Sequence, residues 1–427
     1  MKTKELNPGD KVKLTTKEKD WTGFILESYD SSIVLLKLES GYNIGIPEDD
    51  VLSVKVLEKV KEIKKDKVNL TQNKSLPNIA MIITGGTISS RLDPKSGGVI
   101  FTDAEEILNI SPEIKDICNI VKIEKPFMKF SEDMGFEDWK ILSETCEKLL
   151  NDENIKGIII SHGTDFLHYT SAALSFFLRN LNKPVALTYS QRSIDRGSTD
   201  AALNLLCAAK FAISDIAEVA IVGHKDINDN YCLAMPGTKV RKLHTSRRDT
   251  FKVVNSQAFA QISQREFKIL REFNARNSGK VKLDNVYNEK IALVKVHPNI
   301  TPDILDFYSE HDYKGIILEV AGIGQVPGKN SGKYNLLPKI KKLVDKGIFV
   351  GATAQTIFGM LNPNVYSAGR DAQKTGMVYL KDMLSETAFV KLAWCLGHKE
   401  WVKKKIINEK MLENISGEFN NRLDFEF

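Results

Sequence analysis

Two short stretches of the sequence are apolar at almost every position, and they restrict the possible folds more than any other feature. They read NIAMIIT at 78–84 and IKGIIIS at 155–161. Strands covered by helices on both faces show such continuous apolar runs, whereas strands with one wet face alternate polar and apolar residues. Segments with the helical spacing of apolar residues follow at 168–181 and 200–213. This alternation predicts an α/β domain with a parallel sheet over residues 77–280.

The rest of the chain divides into further blocks. Strand and helix patterns resume at 288–427 and predict a second, smaller α/β domain with a tail. Residues 1–58 instead hold five short β-rich runs separated by Gly, Pro, Asp and Ser, which is typical of a small barrel. Residues 59–76 are charged and poor in large apolar side chains, so we expect a linker there. The predicted fold class is a small N-terminal all-β barrel followed by a two-domain α/β module with parallel sheets.

The composition narrows the class of protein only slightly. The 427 residues are 42% hydrophobic and 27% charged, and the net charge of +5 makes the molecule weakly basic. The sequence has no run of about 18 apolar residues and no apolar centre of a signal peptide, so we expect a cytoplasmic protein with no membrane partner. The five cysteines form no C-x-x-C pair, which favours reduced core thiols over a disulfide framework or a zinc site.

Two motifs follow the apolar runs directly, at the points where the predicted strands end. TGGT occupies 84–87 and SHGTD occupies 161–165. Ligands of open α/β sheets bind at the carboxyl edge of the strands, so both motifs are candidates for one site. A helical pattern begins just after the second motif, and the N-terminus of that helix favours negative charge near Thr164 and Asp165. The glycines allow a ligand to approach the backbone closely.

The residues alone leave the chemistry of this site open. No dinucleotide fingerprint or P-loop is present, and His162 and His168 have no third metal ligand at a convincing spacing, so we expect neither a nucleotide cradle nor a metal site. The threonines and the basic segment VRKLHTSRRDTF at 240–251 fit acyl transfer through a hydroxyl nucleophile. Turn or N-cap threonines without chemistry, and other binding roles, are the alternatives. Spacing alone does not select Lys242 from its basic neighbours.

Taken in order, the two motifs resemble the paired threonine motifs of the bacterial-type L-asparaginase family. The resemblance continues through SEDM, HYTSAALSF, QRS, KLHTSRRDTF and NVYSAGRD and spans residues 78–417. Plain asparaginases lack the first block of this chain. A β-barrel, a linker and an asparaginase-like pair of domains are similar to one branch of that family, which consists of the D subunits of archaeal glutamyl-tRNA(Gln) amidotransferases.

The resemblance implies four catalytic residues. Thr87 would be the nucleophile of the first motif and Thr164 the second catalytic threonine, and the order in which they attack is open. Asp165 would pair with Lys242 and help to hold the substrate amine. Lys242 is selected only because KLHTSRRDTF matches the lysine-containing segment of the family.

The resemblance also implies where the substrate binds. Ser131 and Glu132 match the position that holds the α-carboxylate and the α-amine of the amino acid, and Gly86 is included as a further substrate-binding residue. A cap or loop role for Ser131 and Glu132 is the alternative. The resemblance implies no metal and no organic cofactor in this chain.

The implied activity is hydrolysis of the side-chain amide of glutamine or asparagine, with the ammonia supplied to a separate E subunit. That partner would use ATP and Mg²⁺ to convert misacylated Glu-tRNA(Gln) into Gln-tRNA(Gln), and the D subunits would form a homodimer within a heterotetramer. The runner-up is a self-sufficient L-asparaginase with an accessory β-barrel domain. A non-catalytic scaffold that binds RNA through the barrel and the basic loops is a third hypothesis. The preferred amide donor and the path of ammonia are open.

Overall fold

The N-terminal part of the chain forms a sheet of its own. A computed structural model describes residues 6–28, 30–40, 42–59, 73–92, 99–102 and 104–423. The first five strands are β1 (Lys11–Thr16), β2 (Asp20–Ile25), β3 (Ile33–Leu38), β4 (Asn43–Pro47) and β5 (Val51–Glu58). They pair antiparallel in the order β4-β3-β2-β1-β5 around the buried side chains of Val12, Leu14, Ile25, Leu36 and Ile46. The predicted small N-terminal all-β domain is confirmed. Residues 60–72, most of the predicted linker, lie outside the described residues.

The next strands belong to two α/β domains. In the first domain they are β6 (Asn78–Ile83), β7 (Ser90–Leu92), β8 (Val99–Phe101), β9 (Asn119–Glu124), β10 (Ile158–Ser161), β11 (Leu178–Arg179), β12 (Val185–Thr188), β13 (Val219–His224), β14 (Cys232–Pro236), β15 (Val240–Lys242), β16 (Phe251–Val253), β17 (Ala260–Ile262), β18 (Phe267–Ile269) and β19 (Lys282–Leu283). In the second domain they are β20 (Ile291–Lys295), β21 (Gly315–Val320), β22 (Phe349–Ala354) and β23 (Val378–Tyr379).

Helices cover the faces of these sheets. The described helices are α1 (Ala104–Asn109), α2 (Phe136–Leu150), α3 (Leu167–Phe177), α4 (Ala201–Ala212), α5 (Asp303–Glu310), α6 (Leu337–Asp345), α7 (Ser367–Gln373), α8 (Ser385–Gly397), α9 (Lys399–Lys404) and α10 (Ile407–Leu412). Among the described residues, none of these helices is long and apolar enough to cross a membrane.

The main sheet has eight strands in the order β18-β17-β14-β13-β12-β10-β6-β9. The strands from β13 to β9 run parallel, as predicted, and every residue of β10, β12 and β13 is buried. β14, β17 and β18 extend this sheet antiparallel, which the sequence did not predict. The cause is a short connection, because residues 225–231 between β13 and β14 are too few for the helical crossover that parallel strands need.

The order of the strands reverses at β6. The chain runs from β6 to β9 on one side and then to β10 on the other side of β6. In open α/β sheets a ligand crevice forms at the carboxyl ends of the strands where the order reverses. The loops that follow β6 and β10 therefore border this crevice.

The second α/β domain packs against the first through helices. Its sheet is parallel throughout, in the order β20-β21-β22-β23. Ala172 and Phe176 of α3 share one buried cluster with Ala388 and Leu392 of α8. Because α3 begins just after the SHGTD motif, this cluster joins the second domain to the crevice of the first.

Candidate active site

The two threonine motifs meet at the carboxyl edge of neighbouring strands. β6 and β10 pair in register, with Ile83 opposite Ser161. The backbone N–H and the hydroxyl of Thr84 both donate to the carbonyl of Ser161, at 3.2 and 2.8 Å. The structure therefore brings TGGT and SHGTD together, as the strand-edge argument predicted.

Glycines allow the two motifs to touch at the level of the backbone. Gly86 has φ +77° and ψ 178°, and a Cβ at this position would lie 2.3 Å from the Cα of Gly163. A Cβ on Gly163 would in turn lie 2.9 Å from the hydroxyl oxygen of Ser131. Gly86 and Gly163 thus meet at the backbone, the Ser131 side chain packs against Gly163, and Thr87 and Thr164 each follow one of the two glycines. The glycines are required by the close approach and by the conformation of Gly86.

Lys242 joins the second motif from β15. Its Nζ donates to Oγ1 of Thr164 at 2.9 Å and to Oδ1 of Asp165 at 2.7 Å. The Lys242 side chain is 12% exposed and Thr164 is buried, whereas the Asp165 carboxylate is 58% exposed. Arg247 and Arg248, the neighbouring cations, pair with aspartates elsewhere. The structure thus places Lys242, rather than these neighbours, against the predicted catalytic threonine.

The remaining predicted site residues lie on the rim of the crevice. Thr87 is partly buried, and its hydroxyl has no hydrogen-bond partner among the residues that the structure describes. Ser131 Oγ accepts from the backbone N–H groups of Asp165 and Phe166, at 3.0 and 3.2 Å. Glu132 follows in the same short 3₁₀ turn and is exposed. In this structure the Ser131 hydroxyl has the loop role that the sequence left as the alternative, and the substrate-binding roles stay predictions.

A buried network supports the second motif from below. His162 Nδ1 lies 2.7 Å from the carbonyl of Gly163, so Nδ1 carries the proton and donates to it. His162 Nε2 then accepts from the Thr170 hydroxyl at 2.9 Å, and that hydroxyl accepts from Trp139 Nε1 at 2.9 Å. Burial lowers the pKa of His162 to about 4, so the ring is neutral at pH 7. This network was not foreseen, because its partners are brought together only by tertiary packing.

The second domain contributes an ion pair next to the lysine. Arg241 Nε lies 2.9 Å from Oε1 of Glu386, in the first turn of α8, and His168 Nε2 lies 3.9 Å from the same oxygen. Burial raises the pKa of Glu386 and lowers the pKa of His168 to about 3. Sequence reasoning missed Glu386, since a single glutamate in a helix-forming segment gives no signal of a partner in another domain.

The described residues give no arrangement that could hold a metal. No group of three or more His, Cys, Asp or Glu side chains among them is suitably placed. All five cysteines are buried and unpaired, and burial raises the pKa of the Cys118 thiol to about 12, which makes it a poor nucleophile.

The site brings a hydroxyl, an amine and a carboxylate into contact. The Thr164 hydroxyl contacts the Lys242 amine, and the Asp165 carboxylate orients that amine. The start of α3 adds backbone N–H groups and the positive end of a helix dipole near the same threonine. This arrangement fits covalent acyl transfer, which requires a nucleophile in contact with a base and an orienting group.

Comparison with known protein families divides the chain into three parts. Residues 6–57 match the GatD N-terminal domain, residues 78–274 the N-terminal domain of asparaginase, and residues 290–409 the glutaminase/asparaginase C-terminal domain. Two solved structures are similar over 81% of this chain. The L-asparaginase of Thermococcus kodakarensis is 28% identical with a TM-score of 0.70, covered over 100% of its length, and L-asparaginase I of Vibrio cholerae is 25% identical with a TM-score of 0.69, covered over 99%.

Relatives that match the whole chain are D subunits of glutamyl-tRNA(Gln) amidotransferase. The protein from Thermococcus kodakarensis is 42% identical over 99% of this chain and 96% of its own length. The protein from Pyrococcus furiosus is 43% identical over 98% and 96%, and that from Methanothermobacter thermautotrophicus is 37% identical over 100% and 97%. The chain therefore belongs to the family of glutamyl-tRNA(Gln) amidotransferase D subunits, in which a small N-terminal domain precedes an asparaginase-like pair of domains.

Proposed function

We propose that this chain is the amide-hydrolysing subunit of a tRNA-dependent amidotransferase. It releases ammonia from glutamine or asparagine, and the ammonia converts Glu-tRNA(Gln) into Gln-tRNA(Gln). The observation that carries the proposal is the contact of Lys242 with Thr164 and Asp165 at the strand edge of an asparaginase-like domain. Because the chain belongs to the D-subunit family, we expect the released ammonia to be used on Glu-tRNA(Gln) and not lost to solvent.

The reaction follows from the proposed roles of these groups. A threonine hydroxyl attacks the amide carbon and loses its proton to Lys242 Nζ, directly if Thr164 attacks and by way of the Thr164 hydroxyl if Thr87 attacks. Backbone N–H groups beside Gly86 stabilise the oxyanion. The carbon–nitrogen bond breaks as the proton taken from the threonine passes from Lys242 to the leaving nitrogen, ammonia leaves, and water then hydrolyses the threonine ester. The Asp165 carboxylate accepts a hydrogen bond from Lys242 and so keeps the lysine next to Thr164.

Substrate recognition is assigned to the rim. The amino acid presents an α-amine and an α-carboxylate, which need groups of opposite charge or hydrogen-bond donors. Glu132 is exposed, which leaves its carboxylate accessible to the amine, and the Ser131 hydroxyl lies beside the start of α3, where negative charge is favoured. Gly86 leaves room at the backbone for the substrate. A substrate that binds the Ser131 hydroxyl would compete with the two backbone N–H groups that now donate hydrogen bonds to it.

The partners follow from the family. The chain works with the E subunit, which activates the glutamate of Glu-tRNA(Gln) with ATP and Mg²⁺, and this chain itself uses no cofactor. We propose a homodimer of D subunits within a heterotetramer that acts in the cytoplasm. The small N-terminal domain, which matches the GatD N-terminal domain, is the part of the chain that plain asparaginases lack.

The proposal is tested by following the amide nitrogen. Wild type and Thr164→Val are each combined with the E subunit, Glu-tRNA(Gln), ATP, Mg²⁺ and glutamine labelled with ¹⁵N at the amide. We expect ¹⁵N in the Gln-tRNA(Gln) made by wild type, none with the variant, and rescue of the variant by ammonium chloride. Labelled product from Thr164→Val would contradict the proposed role of the site.

The runner-up, a self-sufficient L-asparaginase, is not favoured, because the relatives that match the whole chain are amidotransferase D subunits, whereas the asparaginase structures are similar over 81% of the chain. It predicts rapid ammonia release from asparagine without any partner and no labelled tRNA. The non-catalytic scaffold predicts that Thr164→Val changes neither quantity.

A further inference from the structure

The segment that carries Lys242 is fastened to one turn of the second domain. Three residue pairs join residues 238–241 to residues 382–387, which precede and open α8. They are the Thr387 hydroxyl donating to the carbonyl of Thr238 at 2.9 Å, Lys239 Nζ with Asp382 Oδ2 at 2.5 Å, and Arg241 Nε with Glu386 Oε1 at 2.9 Å. The position of Lys242 is therefore set from both domains.

The third contact also balances the positive charge of Arg241 with the carboxylate of Glu386. Arg241 and Lys242 are consecutive in β15, and the positive charges of both act on the buried ring of His168. The Asp165 carboxylate faces the lysine, and the Glu386 carboxylate faces the arginine. Because the Glu386 side chain is only 8% exposed, its charge is weakly screened and acts strongly on its neighbours.

Among the described groups around Glu386, Arg241 is the one whose positive charge balances the carboxylate. His168 and Tyr169 of α3 and Glu319 of β21 also face the carboxylate. Burial lowers the pKa of His168 and raises the pKa of Tyr169, so both rings are neutral at pH 7. Oε2 of Glu386 has no hydrogen-bond partner among the described residues. Arg241 is thus the nearest described cation that compensates this buried carboxylate.

We propose that Arg241 and Glu386 form a positioning pair for Lys242, with which the second domain fixes the place and the charge environment of the proposed catalytic lysine. The pair touches neither substrate nor the reacting atoms and acts only through the lysine. This inference rests on the proposed function. It goes beyond it by giving the second α/β domain a defined part in the hydrolysis.

The kinetic test removes the charge of Glu386 and keeps the size of its side chain. Glu386→Gln leaves the guanidinium of Arg241 uncompensated beside Lys242, which disfavours a second cation there. We expect kcat for amide hydrolysis at its optimal pH to fall about 10²-fold with KM within about twofold, because β15 loses an ion pair that holds Lys242 in place and a misplacement near 1 Å costs about that much. We also expect the rate–pH profile to move to lower pH. The double variant Arg241→Gln/Glu386→Gln carries no uncompensated charge, and its profile should return to that of wild type.

A matched control variant distinguishes an effect of charge from a general effect on folding. A second measurement, which needs no substrate, tests the pair independently of the proposed function. Asp306→Asn removes a carboxylate that pairs with Lys339 and Lys342 on another helix of the same domain, and should change neither kcat nor the profile. The reactivity of Lys242 towards acetic anhydride, followed by mass spectrometry against pH, needs no substrate. In Glu386→Gln the labelling curve should move to lower pH, and in the double variant it should return.

The outcomes distinguish the two claims. A folded Glu386→Gln protein whose labelling curve coincides with that of wild type overturns the positioning pair, whatever the kinetics are. A shifted labelling curve in a chain that hydrolyses no amide, even with the E subunit, supports the pair and refutes the proposed function.

Discussion

The close contact between the two threonine motifs predicts that Gly86→Ala impairs catalysis by forcing the motifs apart. Gly86 combines φ +77° with ψ 178°, a conformation that is essentially restricted to glycine and that carries about 1–3 kcal/mol of strain for another residue. The new Cβ would also lie 2.3 Å from both the N and the Cα of Gly163. Ordinary contact begins at 3.4 Å, so the two backbones must separate by roughly 1 Å.

This separation acts on catalysis more than on folding. It moves Thr87, which follows Gly86, away from Thr164, which follows Gly163. A displacement near 1 Å in an active site lowers the rate about 10²-fold. We therefore expect kcat for ammonia release to fall about 10²-fold, and the free energy of unfolding to fall by about 1–3 kcal/mol. The first quantity is read from a coupled ammonia assay and the second from urea denaturation.

A matched glycine provides the control. A Cβ on Gly197 would meet nothing within 4 Å, and this glycine has no positive φ, so Gly197→Ala should leave both quantities unchanged. A Gly86→Ala protein with the wild-type rate would refute the reasoning, since it would mean that the two threonines work without this close approach.

Three further predictions concern other parts of the structure. Lys242→Met should lower kcat about 10²- to 10⁴-fold in steady-state assays, as loss of a general base does, whereas Lys341→Met, in an exposed pair with Asp345, should retain the rate. Glu418→Gln leaves Lys391 buried without its charge partner and should lower the free energy of unfolding by about 3–5 kcal/mol. Glu413→Gln, in an exposed pair, should lower it by about 0–1 kcal/mol, and equal urea midpoints of the two variants would contradict this prediction. Burial lowers the pKa of His162 from 6.5 to about 4, so below pH 6.5 the unfolded chain binds a proton that the folded chain does not. Stability should therefore decline as the pH falls through this window, by about 3 kcal/mol from this group, and His162→Gln should flatten the decline in urea titrations at several pH values.

The fold could be predicted wherever a segment is covered on both faces. The apolar runs became β6 and β10, and all four residues of β10 are buried, so the burial pattern and the sequence pattern coincide. The strand-edge rule then placed the two threonine motifs together before any contact was known. The antiparallel strands β17 and β18 were missed because three residues are too few to show a period.

The site was less accessible to sequence reasoning. Resemblance selected Lys242, whereas the hydrogen bonds that distinguish it from Arg247 and Arg248 exist only in the folded chain. The contact of Gly86 with Gly163 and the pairing of Arg241 with Glu386 join segments far apart in the sequence. The first contact depends on the pairing of β6 with β10 and the second on the packing of α3 against α8, and no local pattern encodes such distances.

The most direct test of the account is ammonia release from glutamine and from asparagine by wild type and Thr164→Val. Each protein is measured alone and together with the E subunit, Glu-tRNA(Gln) and ATP. The account predicts that release by wild type rises sharply with the complete set and that the variant releases none. Equal release by wild type alone, with asparagine preferred, would contradict the amidotransferase function, and unchanged release by Thr164→Val would contradict the site.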